Sequence, residues 1–508
     1  MAEKQTRKFE TEAKSLRALA RHGENPPLVA GVPARVHLLG AGGAGLSGAA
    51  LVLHARGHAL SGHDRADSRF VRSLRVLGMP IDLGESKAEL LPADVGLVAR
   101  SAAVQLDDPQ VVEAVRRGIP VIKYSELLGR LAPERRTIAV AGTHGKTTTS
   151  WLAYYALRGL CEAAGRGAPT PGALIGGACR ELASNAVPPQ FGGWFAAEAC
   201  EYDRSFLQLS PEGAIVTNVE PDHLDYYGTF AAIEEAFARF VDRVHPDGLL
   251  VVGRDVPEKI TAASPCTVWR LGREIHVDLL GEQHGFFRFR LRGPGFATPE
   301  VKLEIPGSFN VENAALALAL SIGLVGRQWK LDLDQAADAA ARSVHRYKGA
   351  ERRFEPWGTH GGVEVIHDYA HHPPVVRATL EAARRALPGK PLHVLFQPHQ
   401  HSRTARFIDD FVESLRAADR VVVAEVYGAR AHIDRMGAGA EDLVLRLKRA
   451  NLDAVFGGAP SQSVQALAER AQAGVAALVL GAGDIDLYKD ELVKALGARR
   501  PLSRPTLR

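Results

Sequence analysis

The chain has 508 residues, with 62 Lys and Arg against 58 Asp and Glu and a formal net charge of +4. So mild an excess makes no case for a nucleic-acid or anionic-membrane partner. The 46% hydrophobic content and 50 glycines fit a soluble α/β protein with many strand–helix turns, and the length predicts about three domains.

Residues 1–34 read as a polar extension without the apolar core of a signal peptide. No apolar run reaches the ~20 residues needed to span a bilayer, and a cytoplasmic protein is expected. Cys161, Cys179, Cys200 and Cys266 show no metal spacing and read as reduced thiols. Residues 36–39 predict a strand, and Gly40-Ala41-Gly42-Gly43-Ala44-Gly45 follows it. A helix over 46–56 and a strand over 59–64 ending in Asp64 complete the form of a dinucleotide fingerprint. There, glycines allow the tight turn, a pyrophosphate sits at the helix N-terminus, and the acid meets a ribose. Such loops also serve mononucleotides and nucleotide-sugars. Strands over 95–99 and 120–122, with a helix over 109–118, predict a parallel sheet covered on both faces. This first domain is expected over 35–133.

A second domain, expected over 134–345, opens on a phosphate loop. Apolar β-formers at 138–141 run into Gly142-Thr143-His144-Gly145-Lys146-Thr147-Thr148, and a helix follows. Backbone N–H groups would face the anion, Lys146 would add a point charge, and the Thr147 hydroxyl can hold Mg²⁺. Full Walker spacing needs a glycine where Val140 stands, so the loop is a variant. Two phosphate cradles in one chain favour an ATP-dependent enzyme with a phosphorylated substrate over a nicotinamide-dependent dehydrogenase.

Residues 164–172 and 184–193 read as loops, 194–197, 214–218 and 249–252 as strands, 300–305 as an edge strand and 313–324 as a helix. Two acidic segments follow strand ends: Glu198-Ala199-Cys200-Glu201-Tyr202-Asp203, and Asn218-Val219-Glu220-Pro221-Asp222-His223-Leu224-Asp225. Singly these are helix caps or surface groups; together, after a phosphate loop, they favour a metal site with oxygen donors. Asn310 and Asn313 can read a purine edge from one helical turn, or Asn310 can cap the helix.

A third domain is expected over 346–508, with strands at 363–366, 393–396, 421–426 and 477–480. Arg352 and Arg353 suit bidentate phosphate contacts, or are surface groups. His367-Asp368-Tyr369-Ala370-His371-His372 and Phe396-Gln397-Pro398-His399-Gln400-His401-Ser402-Arg403 lie at strand ends, where α/β folds bind ligands. Their spacing does not match a zinc finger.

Together these segments resemble the Mur ligase family. The likeness runs from about residue 36 to 484 with the motifs in family order, through the glycine loop at 40–45, the phosphate loop at 141–149 and the acidic segments at 198–203 and 218–225. Arg-Arg-Phe at 352–354, Asp-Tyr-Ala-His-His-Pro at 368–373, Phe-Gln-Pro-His at 396–399 and Gly-Ala-Gly-Asp-Ile at 481–485 complete it. The resemblance implies three α/β domains: Rossmann-like, P-loop ATPase-like and Rossmann-like. It implies an ATP- and Mg²⁺-dependent ligase of peptidoglycan synthesis. Its His-His-Pro and Phe-Gln-Pro-His segments point to joining L-alanine to the carboxylate of UDP-N-acetylmuramate through an acyl phosphate. The alternative is the recycling reaction, which joins the same sugar to a peptide and which Tyr202 favours.

Carried over position by position, Lys146, Glu198, His223 and Arg353 would be catalytic, with Mg²⁺ on Thr147, Glu198 and His223. ATP would meet Gly142, Thr143, His144, Gly145, Lys146, Thr147, Thr148, Asn310, Asn313, Arg353 and Asp368. The UDP-sugar would lie on Gly40, Gly42, Gly43, Gly45, Asp64 and Ser101. Tyr369, His371 and Arg403 would line the pocket for alanine and the muramyl carboxylate. A monomer or homodimer is implied, without NAD. The family usually has His at Phe309 and often Arg at Gln400. No Lys lies between His223 and Asp255, so the carbamoylated lysine of other members is not expected.

Overall fold

The computed structural model describes residues 14–19, 27–133, 135–428 and 439–498, without the Asp225 side chain. Of the expected extension, 14–19 are helical, and residues 1–13 and 20–26 lie outside the described residues. The chain divides into two units. One is Met1–Leu280, Arg288–Glu304 and Asn310–Ala350; the other is Gly281–Phe287, Ile305–Phe309 and Glu351–Arg508.

The first unit holds two largely parallel sheets. Strands β1 (Arg35–Leu39), β2 (Ala59–Asp64), β3 (Ile81–Leu83), β4 (Leu97–Arg100) and β5 (Val121–Lys123) pair in the order β3-β2-β1-β4-β5. The second sheet has β6 (Thr137–Ala141), β7 (Gly172–Cys179), β8 (Ser184–Val187), β9 (Phe195–Glu198), β10 (Gly213–Val216), β11 (Leu249–Val252) and β12 (Thr267–Arg270). Its order is β12-β11-β10-β6-β9-β7-β8, with only β7/β8 antiparallel. Strands β6, β10 and β11 are buried at every residue. Helices cover both faces of such a sheet, so its strands read as continuous apolar runs. The helix Ala44–Ala55 after β1 packs against β7 and β8 of the second sheet: Asn185 Nδ2 donates to Ala44 O at 2.5 Å, and a Cβ on Gly48 would lie 2.4 Å from Leu174.

In the second unit, β17 (Glu355–His360), β18 (Val363–Asp368), β19 (Leu392–Phe396), β20 (Arg420–Ala424), β21 (Asp453–Gly458) and β22 (Ala476–Leu480) pair in the order β17-β18-β22-β19-β20-β21. All pairs but β17/β18 are parallel.

Three expectations need correction. Residues 184–187 are a strand, not loop. Their polar groups are satisfied locally, Ser184 Oγ donating to Ala186 O at 2.7 Å and Asn185 Nδ2 to Ile175 O at 3.2 Å. An unforeseen small sheet comprises β13 (His276–Gln283), β14 (Phe286–Gly293), β15 (Phe296–Ala297) and β16 (Val301–Lys302), so only two residues of the predicted edge strand pair. Finally, the helix Phe309–Leu320 continues to Gly326, giving 18 residues of mean hydropathy 1.4, of which 89% are buried in the protein. It is a core helix, and among the described residues no other is long and apolar enough to cross a membrane.

A polar group on β1 makes the fold sensitive to acid. His37 is fully buried, with Nδ1 2.8 Å from Ser61 Oγ and Nε2 2.9 Å from Gln110 Oε1. A neutral ring serves both: Nε2–H donates to the amide oxygen and Nδ1 accepts from the hydroxyl. Burial lowers its pKa from 6.5 to about 4, even though the Gln110 bond favours the charged ring. The depressed folded value means that this contribution is complete above pH 6.5 and is lost as the pH falls towards 4. The loss should reach about 3 kcal/mol. Urea unfolding at pH 7.5 and 4.5 checks this: a His37→Gln variant should lose less stability between the two than the wild type, and equal losses would refute the assignment.

Candidate active site

The phosphate loop leaves β6 and is clamped from two sides. Gly142 has φ 137° and Gly145 has φ 83°, values that favour glycine. A Cβ on Gly142 would stand 1.9 Å from Thr217 Oγ1, and one on Gly145 2.6 Å from Asn313 Oδ1. Beyond β10, Asn218 accepts the His144 N–H on Oδ1 at 2.8 Å and the Thr143 N–H on its backbone oxygen at 3.0 Å. Thr217 Oγ1 donates to His144 O at 2.6 Å. The helix Lys146–Ala164 then starts directly after Gly145.

Lys146 Nζ donates to Gly142 O at 2.5 Å, Thr143 O at 3.1 Å and Glu201 Oε1 at 3.0 Å. Burial alone would lower its pKa, but the Glu201 carboxylate offsets this and leaves the ammonium above its ordinary value. Thr147 Oγ1 donates to Glu198 Oε1 at 3.2 Å, while Glu198 Oε2 accepts the Gly176 N–H at 2.8 Å. The two acids of one motif thus divide: Glu198 faces the threonine and Glu201 the lysine. His223, held at φ 51°, lies 4.0 Å from Glu201 and 3.8 Å from Asp222, with its ring 5.1 Å from that of Tyr202.

Among the described residues no three His, Cys, Asp or Glu side chains group as a metal site. Mg²⁺ needs less, because it keeps waters and phosphate oxygens and takes one or two oxygens from protein. Neighbouring oxygens in its octahedral shell lie about 2.9 Å apart. The 3.2 Å separation of Thr147 Oγ1 and Glu198 Oε1 fits that shell.

Asn310 is the second residue of its helix and accepts from Asn313 Nδ2 at 3.0 Å, so it is not the cap. Phe309 is 41% exposed.

The glycine loop after β1 is built as tightly. Gly40 has φ 78° and faces Ser101, whose Cβ would be 3.0 Å from a Cβ there. Asp64 accepts the N–H of Gly42 at 2.8 Å and of Ala66 at 3.1 Å, so its carboxylate fixes the loop. Gly43 precedes the helix Ala44–Ala55, and Gly45 lies against the Tyr124 ring.

In the second unit, Asp368 ends β18 and accepts the N–H of Phe354 at 2.7 Å and of Ala370 at 2.8 Å. Burial raises its carboxyl above the ordinary range, against the opposing charge of Arg353. The guanidinium groups of Arg352 and Arg353 lie 4.6 and 5.2 Å from the centre of the Tyr369 ring. His371 is 5.1 Å from Tyr369 and 5.4 Å from His399, and Arg403 Nη1 is 3.2 Å from His399 Nδ1. The structure therefore brings Tyr369, His371 and Arg403 together through His399, to which the sequence assigned no role. Gln400 is buried at φ 70°.

Three family descriptions match the chain: "Mur ligase family, catalytic domain" over residues 35–136, "Mur ligase middle domain" over 140–321 and "Mur ligase, glutamate ligase domain" over 352–483. The chain belongs to the Mur ligase family. Among Mur ligases it is 38% identical to a UDP-N-acetylmuramate–L-alanine ligase of Saccharopolyspora erythraea, covering 90% of this chain and 92% of the relative. It is 36% identical to one from Rubrobacter xylanophilus, covering 91% and 100%. The solved UDP-N-acetylmuramate–alanine ligase of Thermotoga maritima superposes with a TM-score of 0.72 at 25% identity, over 91% of this chain and 98% of that one. A murein peptide ligase from Psychrobacter arcticus gives 0.68 at 22% identity, over 92% and 100%, a likeness of fold.

Proposed function

We propose that this Mur ligase joins L-alanine to the carboxylate of UDP-N-acetylmuramate at the expense of ATP, in peptidoglycan synthesis. The observation that carries the reading is the full-length likeness to alanine ligases at 36–38% identity, together with an intact Lys146, Thr147 and Glu198 around one phosphate loop. The muramyl carboxylate would take the γ-phosphoryl group and ADP would leave. The alanine amine would then attack the acyl phosphate, and phosphate would depart from the tetrahedral intermediate. Lys146 and the N–H groups at the helix N-terminus stabilise charge on the phosphoryl oxygens. Thr147, Glu198 and His223 would hold Mg²⁺, and the bound ion supplies Lewis-acid charge. Asn310 and Asn313 would serve the adenine, and Arg353 and Asp368 the nucleotide. Tyr369, His371 and Arg403 would receive alanine and the muramyl carboxylate. The glycine loop and Ser101 would hold the UDP-sugar.

Phosphate release from ATP, Mg²⁺ and UDP-N-acetylmuramate, with and without L-alanine, tests this. Release should require every component. Silence with alanine but release with L-alanyl-γ-D-glutamyl-diaminopimelate would transfer the assignment to the recycling reaction.

A further inference from the structure

The two cradles of the first unit are joined at one dipeptide. The helix Tyr124–Leu131 follows β5, and the Glu126 carboxylate caps it by accepting the Lys123 N–H at 2.7 Å. This pins the Lys123 backbone and leaves its ammonium to reach Asp203, 2.7 Å away and 80 positions later. Asp203 and Arg204 both hold left-handed backbone, with φ 54° and 53°, a conformation that persists only where the surroundings impose it. Next to Lys123, the Tyr124 ring lies under the glycine loop: a Cβ on Gly45 would come within 2.7 Å of it. Desolvation raises the Tyr124 phenol above its ordinary value, and the Glu198 carboxylate raises it further. The ring therefore lies in the field of the acid that holds Thr147. Further along the helix, a Cβ on Gly129 would be 2.5 Å from Gln208 O, so the helix runs close against the Tyr202–Gln208 turn.

The Lys123–Asp203 side chains are 42% and 25% exposed, and ion pairs so open to water add little stability. Its position gives it another use. Two residues before Asp203, Glu201 holds the Lys146 ammonium. We propose that Lys123 and Tyr124 are positioning residues that couple the two cradles. With a UDP-sugar on the glycine loop, they hold the Tyr202–Gln208 turn, and through Glu201 the Lys146 ammonium, in the register a nucleoside triphosphate needs. The identity of the two ligands rests on the proposed function.

The test is calorimetric titration of the whole chain with UDP-N-acetylmuramate, with a non-hydrolysable ATP analogue plus Mg²⁺, and with each in the presence of the other. In the wild type, each ligand should tighten the other about tenfold, and by the same factor in either order. Lys123→Ala should remove that factor while the separate affinities stay within about twofold of wild type, and Lys123→Arg should retain it. Asp203→Asn should match Lys123→Ala, and the double variant should lose no more than either alone. Equal coupling in wild type and Lys123→Ala overturns the proposal, as does a wild type whose two ligands bind independently. Turnover is read on the same samples. Coupled binding without alanine-dependent phosphate release would overturn the alanine reading and support the coupling.

Discussion

Lys146→Ala should lower alanine-dependent phosphate release by roughly 10³-fold, because one preorganised cation facing a transferring phosphoryl group is commonly worth that much. The same change has a second, separable effect. Lys146 and Glu201 have side chains only 14% and 4% exposed, so removing the lysine strands a buried carboxylate, and about 3 kcal/mol of stability should go with it. Adding Glu201→Gln removes the stranded charge. The double variant should regain stability in urea unfolding and remain inactive. Lys146→Arg should not rescue turnover, since a planar fork cannot occupy the place of a compact ammonium held by Gly142 O and Thr143 O. Undiminished turnover in Lys146→Ala would remove the catalytic assignment.

This division between charge and fold bears on what could be read in the residues alone. The phosphate loop was legible because its parts are contiguous: an apolar strand, two glycines, then Lys146 and Thr147 opening a helix. Strands β6, β10 and β11, buried at every residue, were legible as apolar runs for the same local reason. What the sequence could not give is pairing across distance. It placed Glu198 and Glu201 after a strand end, yet which acid meets Thr147 and which meets Lys146 depends on β9 lying beside β6. Asn310 could equally have been a cap until the helix proved to begin at Phe309. Ser184–Val187 carries no apolar alternation, so only its pairing with β7 makes it a strand. The alternation of buried Phe287, Phe289 and Leu291 with exposed Arg288, Arg290 and Arg292 was present in the sequence and predicts β14. His399 drew notice as one of a polar cluster, but only its contacts with His371 and Arg403 give it a place.

Gly142→Ala should be the most damaging single-methyl change in the phosphate loop. Two independent constraints meet there. The backbone sits at φ 137°, which residues with a Cβ rarely adopt, at a cost on the order of 1–3 kcal/mol. The added methyl would also stand 1.9 Å from Thr217 Oγ1 and 3.1 Å from the Thr217 nitrogen, and relieving such overpacking costs roughly 1–3 kcal/mol more. The loop has little room to yield, because Thr217 Oγ1 is itself bonded to His144 O, and Asn218 holds the N–H groups of Thr143 and His144. Relief must therefore come from the loop moving off β10, which would carry Lys146 and Thr147 away from Glu201 and Glu198. Affinity for an ATP analogue should fall at least roughly 100-fold, the consequence of losing about 3 kcal/mol of phosphate contacts. Combining Gly142→Ala with Thr217→Ala removes the closest atom but not the backbone constraint, so it should recover part of the stability and little of the affinity. Nucleotide binding within twofold of wild type in Gly142→Ala alone would show that the loop does not depend on this glycine.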